Sequence, residues 1–94
     1  MSAKVANQSI PNTTATLITG IPAINDRKYI VFTNNTSTTF YIGFANTITD
    51  SSTNANAIPA GKQHCILIGA DDSQTIYAYQ LSGSAQRLGW SIDA

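Results

Sequence analysis

The sequence predicts an all-β fold: a small antiparallel β-sandwich or jelly-roll-like barrel of six to eight short strands. Composition is the first reason. Among 94 residues there is no Glu, 12 Ile stand against 4 Leu, and 29 are Ser, Thr or Asn. Ile and Thr are stiff at χ1 and suit a pleated surface, whereas Asn, Ser and Asp compete with a helical backbone and gather in turns. The second reason is rhythm. Turn signals recur about every ten residues, the spacing of sandwiches and small barrels, and no stretch shows the 3.6-residue period of an amphipathic helix.

Taken in order, residues 1–12 are polar and unpatterned, and Pro11 marks an extended break. They read as an N-terminal arm that orders by docking, with Lys4, Val5 and Ile10 as its partner-contacting residues. Residues 13–94 then form one sandwich domain. Residues 14–19 (TATLIT) are the first strand, followed by a loop containing Gly20, Pro22, Asn25 and Asp26, in which Ile21 and Ile24 are expected to pack. The clearest signal is RKYIVFTNNTSTTFYIGF, residues 27–44. Two aromatic and β-branched strands, 28–33 and 39–44, flank a turn of Asn34, Asn35, Thr36, Ser37 and Thr38, and this reads as a hairpin and folding nucleus. Asn34 is placed to cap backbone groups where the chain turns. Gly43, inside an aromatic strand, suggests a bulge or a close backbone approach.

Residues 45–57 (ANTITDSSTNANA) read as a surface loop with a short strand near 47–49. Ile58-Pro59-Ala60-Gly61 is a turn into a strand over 63–68, and Gly69 to Ser73 is the next turn. In the strand over 75–81, Tyr77 and Tyr79 share one face, with Ile76 and Ala78 on the other. After Ser82-Gly83-Ser84, the last strand over 86–93 puts Leu88, Trp90 and Ile92 on one face.

The same residues argue against several functions. Net charge is zero and the sequence pI is about 6.5, unlike the basic stripe of a nucleic-acid binder. Cys65 is the single cysteine, so no internal disulfide forms, and its apolar run Cys65-Ile66-Leu67-Ile68 predicts a buried thiol. His64 and Cys65 are neighbours on a strand, point to opposite faces and cannot share a metal. Asp71-Asp72 has the form of a β-turn pair and lacks the spaced oxygens of a calcium loop. No Ser lies in a G-x-S-x-G elbow, the nearest run being Ser82-Gly83-Ser84. Gly83 and Gly89 precede no helix that would hold a phosphate. An enzyme is not expected, and no cofactor is expected. The sequons at Asn7, Asn12, Asn34 and Asn35 are chance matches in so Ser/Thr/Asn-rich a chain. The N-terminus lacks a signal peptide's apolar stretch and no apolar run approaches the ~20 residues of a membrane span, so synthesis in a cytoplasm and no membrane association are expected. Tyr77 and Tyr79 complete the set of candidate partner-binding residues.

Several of these features occur together in a known group of proteins. Arg27-Lys28, an alternating strand ending in Asn34, a short Ser/Thr turn and Phe40-Tyr41-Ile42-Gly43 are followed by Ile58-Pro59-Ala60-Gly61, Ile76-Tyr77-Ala78 and Ser82-Gly83-Ser84-Ala85. The pattern, covering residues 27–93, resembles small β-sandwich structural proteins of tailed bacteriophage virions. That resemblance implies a capsid decoration or cement protein on the outer head surface, binding the major capsid protein as a homotrimer and touching neither nucleic acid nor membrane. A lattice of identical sites would multiply a weak contact by avidity. The alternative it leaves is a tail- or fibre-associated module binding a host receptor or glycan through the tyrosines.

Overall fold

The computed structural model describes residues 3–19, 29–67 and 75–93. Eight strands follow in order: β1 (Ala3–Ile10), β2 (Thr16–Leu17), β3 (Tyr29–Thr33), β4 (Phe40–Gly43), β5 (Asn56–Ile58), β6 (Gln63–Leu67), β7 (Tyr77–Tyr79) and β8 (Gln86–Asp93). They form two four-stranded antiparallel sheets, ordered β1-β8-β3-β6 and β2-β7-β4-β5, with no helix among the described residues. This is the β-sandwich that the composition predicts. Between the sheets lies one apolar cluster that includes Ile10, Ile30, Phe32, Phe40, Ile42, Ile58, Ala78, Leu88 and Trp90. Alternate residues of β3, β4 and β8 supply it, as the period of two requires.

Two expectations need correction. Residues 3–10 are not a free arm, because β1 pairs with β8 from Ala3↔Asp93 to Ile10↔Gln86. Its polar sequence is that of a sheet-edge strand whose outer face meets water. Ile10, expected to contact a partner, is wholly buried in the core. The backbone of Lys4 and Val5 belongs to the same strand, while their side chains lie outside the described ones. Nor is residues 27–44 a hairpin. β3 pairs with β6 and β8, and β4 pairs with β5 and β7. The six residues 34–39 therefore carry the chain from one sheet to the other. Ile30 and Phe32 face the core on one side, and Phe40 and Ile42 face it from the other.

Other boundaries shift less. The strand expected near 47–49 is absent and β5 forms at Asn56–Ile58 instead. The expected loop over 20–26 and the turn with Asp71-Asp72 lie outside the described residues. Cys65 is exposed rather than buried, because β6 is the other edge of its sheet and Cys65 points away from the core. Consequently a thiol reagent such as DTNB should titrate Cys65 in native buffer, and Cys65→Ser should abolish the reaction. Protection that is lifted only by denaturant would contradict this placement.

The two sheets share one plan. Exchanging β1, β2, β3 and β4 for β5, β6, β7 and β8 turns the order β1-β8-β3-β6 into β5-β4-β7-β2, which is the second sheet read backwards. Registers obey the exchange as well. Ile10 faces Gln86 as Ile58 faces Phe40, Gln8 faces Leu88 as Asn56 faces Ile42, and Phe32 faces His64 as Ala78 faces Thr16. Ile10-Pro11 and Ile58-Pro59 are equivalent positions, as are Ile42-Gly43 and Leu88-Gly89. The central pairs depart from the symmetry: Thr33 faces Gly89, while Tyr77, not Tyr79, faces Gly43, a displacement of two residues.

Candidate functional site

Among the described residues the two wholly buried polar side chains, Asn34 and Gln80, occupy equivalent positions at the sheet-crossing turns. Asn34 Nδ2 donates to the Thr38 carbonyl at 2.6 Å and to the Ile58 carbonyl at 2.8 Å. Its Oδ1 accepts from Thr36 N at 3.0 Å, and its backbone carbonyl accepts from Gly61 N at 2.8 Å. Gln80 repeats these four bonds. Its Nε2 donates to the Ser84 and Ile10 carbonyls at 2.7 and 2.9 Å, its Oε1 accepts from Ser82 N at 2.7 Å, and its carbonyl accepts from Thr13 N at 2.8 Å. The residues that approach, Gly61 and Thr13, both have positive φ, 76° and 53°. Each amide thus ties a crossing turn to the end of a strand from the opposite half. These side chains have spent their polar atoms on backbone groups that would otherwise be buried without partners, so they are structural.

The outer faces differ between the two sheets. On the second sheet, Gly43 is covered by the loop that follows it. A Cβ at Gly43 would stand 2.8 Å from the Asn54 carbonyl oxygen and 2.9 Å from Ile48 Cγ2. Ile48 is 1% exposed yet lies outside the main core cluster. The loop holds itself by short-range bonds, among them Thr49 N to Ser52 Oγ at 2.8 Å and Ser52 N to the Thr49 carbonyl at 3.3 Å. The polar stretch 45–57 is therefore a cover with one apolar plug, and the close approach expected at Gly43 is real.

On the first sheet no described residue covers the equivalent glycine, Gly89. Around it is a groove of about 520 Å³. Gly89, Trp90, Arg87 and Ser91 come from β8, Ala6 and Asn7 from β1, Thr33 from β3, and Asn35 from the crossing turn. Arg87 Nη1 donates to Asn7 Oδ1 at 2.7 Å across the β1–β8 pair. Trp90 is packed tilted against Phe32, ring centroids 6.4 Å apart, and its buried Nε1 has no acceptor among the described residues. The groove is thus a shallow, hydrogen-bonding surface with a bare backbone floor.

The candidate residues chosen from the sequence are not brought together here. Tyr77 is half-buried, and Tyr79 is buried against Tyr41 at 6.5 Å between ring centroids and 60° between planes. Rings so inclined do not make a flat stacking platform, and Tyr79 is lost as an exposed contact. Ile10 is core, as noted. His64 is half-buried opposite Phe32 while Cys65 faces outward, and no group of three or more His, Cys, Asp or Glu converges among the described residues. The groove residues Asn7, Arg87 and Gly89 escaped sequence reasoning because they become neighbours only when β1 lies beside β8. The available signal was the repeated Ile-Gly and Leu-Gly at matching points of two similar strands.

Comparison with protein-family models, with curated proteins and with solved structures finds no match for this chain.

Proposed function

We propose that this protein is a non-enzymatic virion structural protein, a capsid decoration protein that binds the major capsid protein on the outer head surface as a homotrimer. The observation that carries the reading is the division of polar groups. The buried ones, Asn34 and Gln80, are consumed in holding the sheets together, while everything available for contact lies outside. Phe44, Leu81 and Leu17 are 46%, 47% and 38% exposed, and the Gly89 groove opens on the outer face. With a net charge of zero, the domain has little self-repulsion to oppose close neighbours. The phage-like sequence pattern of residues 27–93 supplies the virion context for that contact surface.

The test is location together with assembly state. Antibody labelling of virions whose genome encodes this chain should decorate the head. Light scattering on the purified protein should give a trimer, and the protein should co-sediment with emptied capsids. Labelling confined to the tail, with binding to host glycans, would replace this reading by the receptor-binding one. A monomer that leaves capsids bare would overturn it.

A further inference from the structure

We propose that the groove over Gly89 is a docking site for a loop of a partner protein, one that inserts a β-branched aliphatic side chain against the bare backbone. The inference goes beyond the virion reading and does not depend on it. It begins with an unexplained glycine. Glycine in a strand interior weakens the strand unless something must approach closely. At Gly43 that something is visible, since Ile48 and the Asn54 carbonyl occupy the space of a side chain. At Gly89 nothing among the described residues needs the space: of these, an added Cβ would meet the Thr33 and Ala6 carbonyl oxygens, at 3.6 and 3.8 Å, ordinary contact distances. Its backbone also lies outside the positive-φ region that would favour glycine.

The two glycines occupy equivalent strand positions, and only the continuation of the chain differs. After Gly43 the chain leaves the sheet and folds back as its own cover. After Gly89 it continues as β8 to Asp93, so no described residue covers the equivalent surface. The floor offers the same bare glycine backbone that Ile48 covers at Gly43, flanked by Thr33 where Gly43 has Tyr77, and the rim sets the polarity of an occupant. Arg87 and Asn7, already hydrogen-bonded to one another, together with Ser91 and Asn35, provide groups for the carbonyls and for an acidic or amide side chain beside the aliphatic plug. A hydrogen-bonding rim around a desolvated anchor is the common anatomy of protein interfaces.

The chain supplies its own probe. A peptide of residues 44–55, closed by a disulfide between added terminal cysteines to hold the loop ends together, is titrated into the 15N-labelled full chain and followed by amide shifts. Shifts confined to Asn7, Asn35, Arg87, Gly89 and Ser91 are expected, with a Kd on the order of 1 mM. An Ile48→Ala version of the peptide should bind roughly tenfold more weakly, through loss of the buried aliphatic group. Gly89→Val should remove the response while the spectrum stays dispersed, and Gly89→Ala should weaken it if valine perturbs the strand. Absence of groove shifts at several times that Kd, shifts indifferent to Ile48→Ala, or shifts that survive both glycine variants would overturn the proposal. So would a panel of oligosaccharides that moves the same amides when the peptide does not, which would make the groove a glycan site.

Discussion

Asn34→Ala should be among the most damaging single substitutions in this protein, lowering the free energy of unfolding by about 3–5 kcal/mol. The Ile58 carbonyl, the Thr38 carbonyl and Thr36 N all bond this one amide, and the Thr38 carbonyl has besides it only a longer bond from Thr36 Oγ1 at 3.3 Å. Truncation strands these groups in or near a wholly buried site, and each buried polar group left without a partner costs about 1–3 kcal/mol. Against a typical total of ~5–15 kcal/mol for a small domain, the variant should unfold at a much lower urea midpoint. Asn34→Asp separates hydrogen bonding from shape. It is nearly isosteric, yet at neutral pH it puts a carboxylate oxygen against two carbonyl oxygens in place of a donor, so it should be no better than Ala. Asn34→Ser, too short to span both carbonyls, should also fail to rescue. A urea midpoint for Asn34→Ala within error of the wild type would mean that the crossing turn is not held by this side chain. Gln80→Ala should lose a similar amount for the same reasons. Because Asn34 and Gln80 share no partner, the two losses should add if the fold survives both.

Asn34 also shows what was legible in the chain and what was not. Its role as a cap was readable from residue type, since an amide directly after an alternating strand is placed to bond turn backbone. What it caps was not. A strand, five polar residues and a second strand look the same locally whether the second strand pairs with the first or crosses to the facing sheet. Alternation fixes which residues point inward, and both arrangements satisfy it. The shared inward faces of Ile76 with Ala78 and of Leu88 with Trp90 were therefore read correctly, and β8 matches its expected bounds, while the pairing of β3 with β4 was wrong. β1 failed for a different reason. Only Ile10 at its end is strongly apolar on the inward face, with Ala6 small, so an edge strand resembled an unpatterned arm. Cys65 was misplaced because the apolar run around it suggested a strand buried on both faces, and edge position is a property of the whole sheet. The groove depends on both failures. It requires β1 in place, and it requires the relation between the halves that turns two unremarkable glycines into a comparison.

Substituting each of those glycines by alanine should give opposite results. Gly43→Ala inserts a methyl 2.8 Å from the Asn54 carbonyl oxygen and 2.9 Å from Ile48 Cγ2, closer than real contacts allow. The Ile48 side chain can move only by leaving its buried site, and Asn54 is loop backbone, so overpacking of about 1–3 kcal/mol is expected. Gly43→Val should cost more, because the added methyls meet the same two neighbours. Gly89→Ala meets nothing nearer than 3.6 Å. Replacing a strand glycine there restricts the unfolded chain, so it should be neutral or stabilising by up to about 1 kcal/mol. Equal urea midpoints for the two alanine variants would show that the loop does not pin Gly43. The double variant Gly43→Ala/Ile48→Ala sharpens the test. Alone, Ile48→Ala should cost about 2–4 kcal/mol by emptying the site under the loop. Combined with Gly43→Ala it should cost clearly less than the sum, because removing Cγ2 frees one of the two obstructed contacts and the new methyl partly fills the space. Simple additivity would place Ile48 and Gly43 out of contact and would remove the internal precedent on which the Gly89 groove is interpreted.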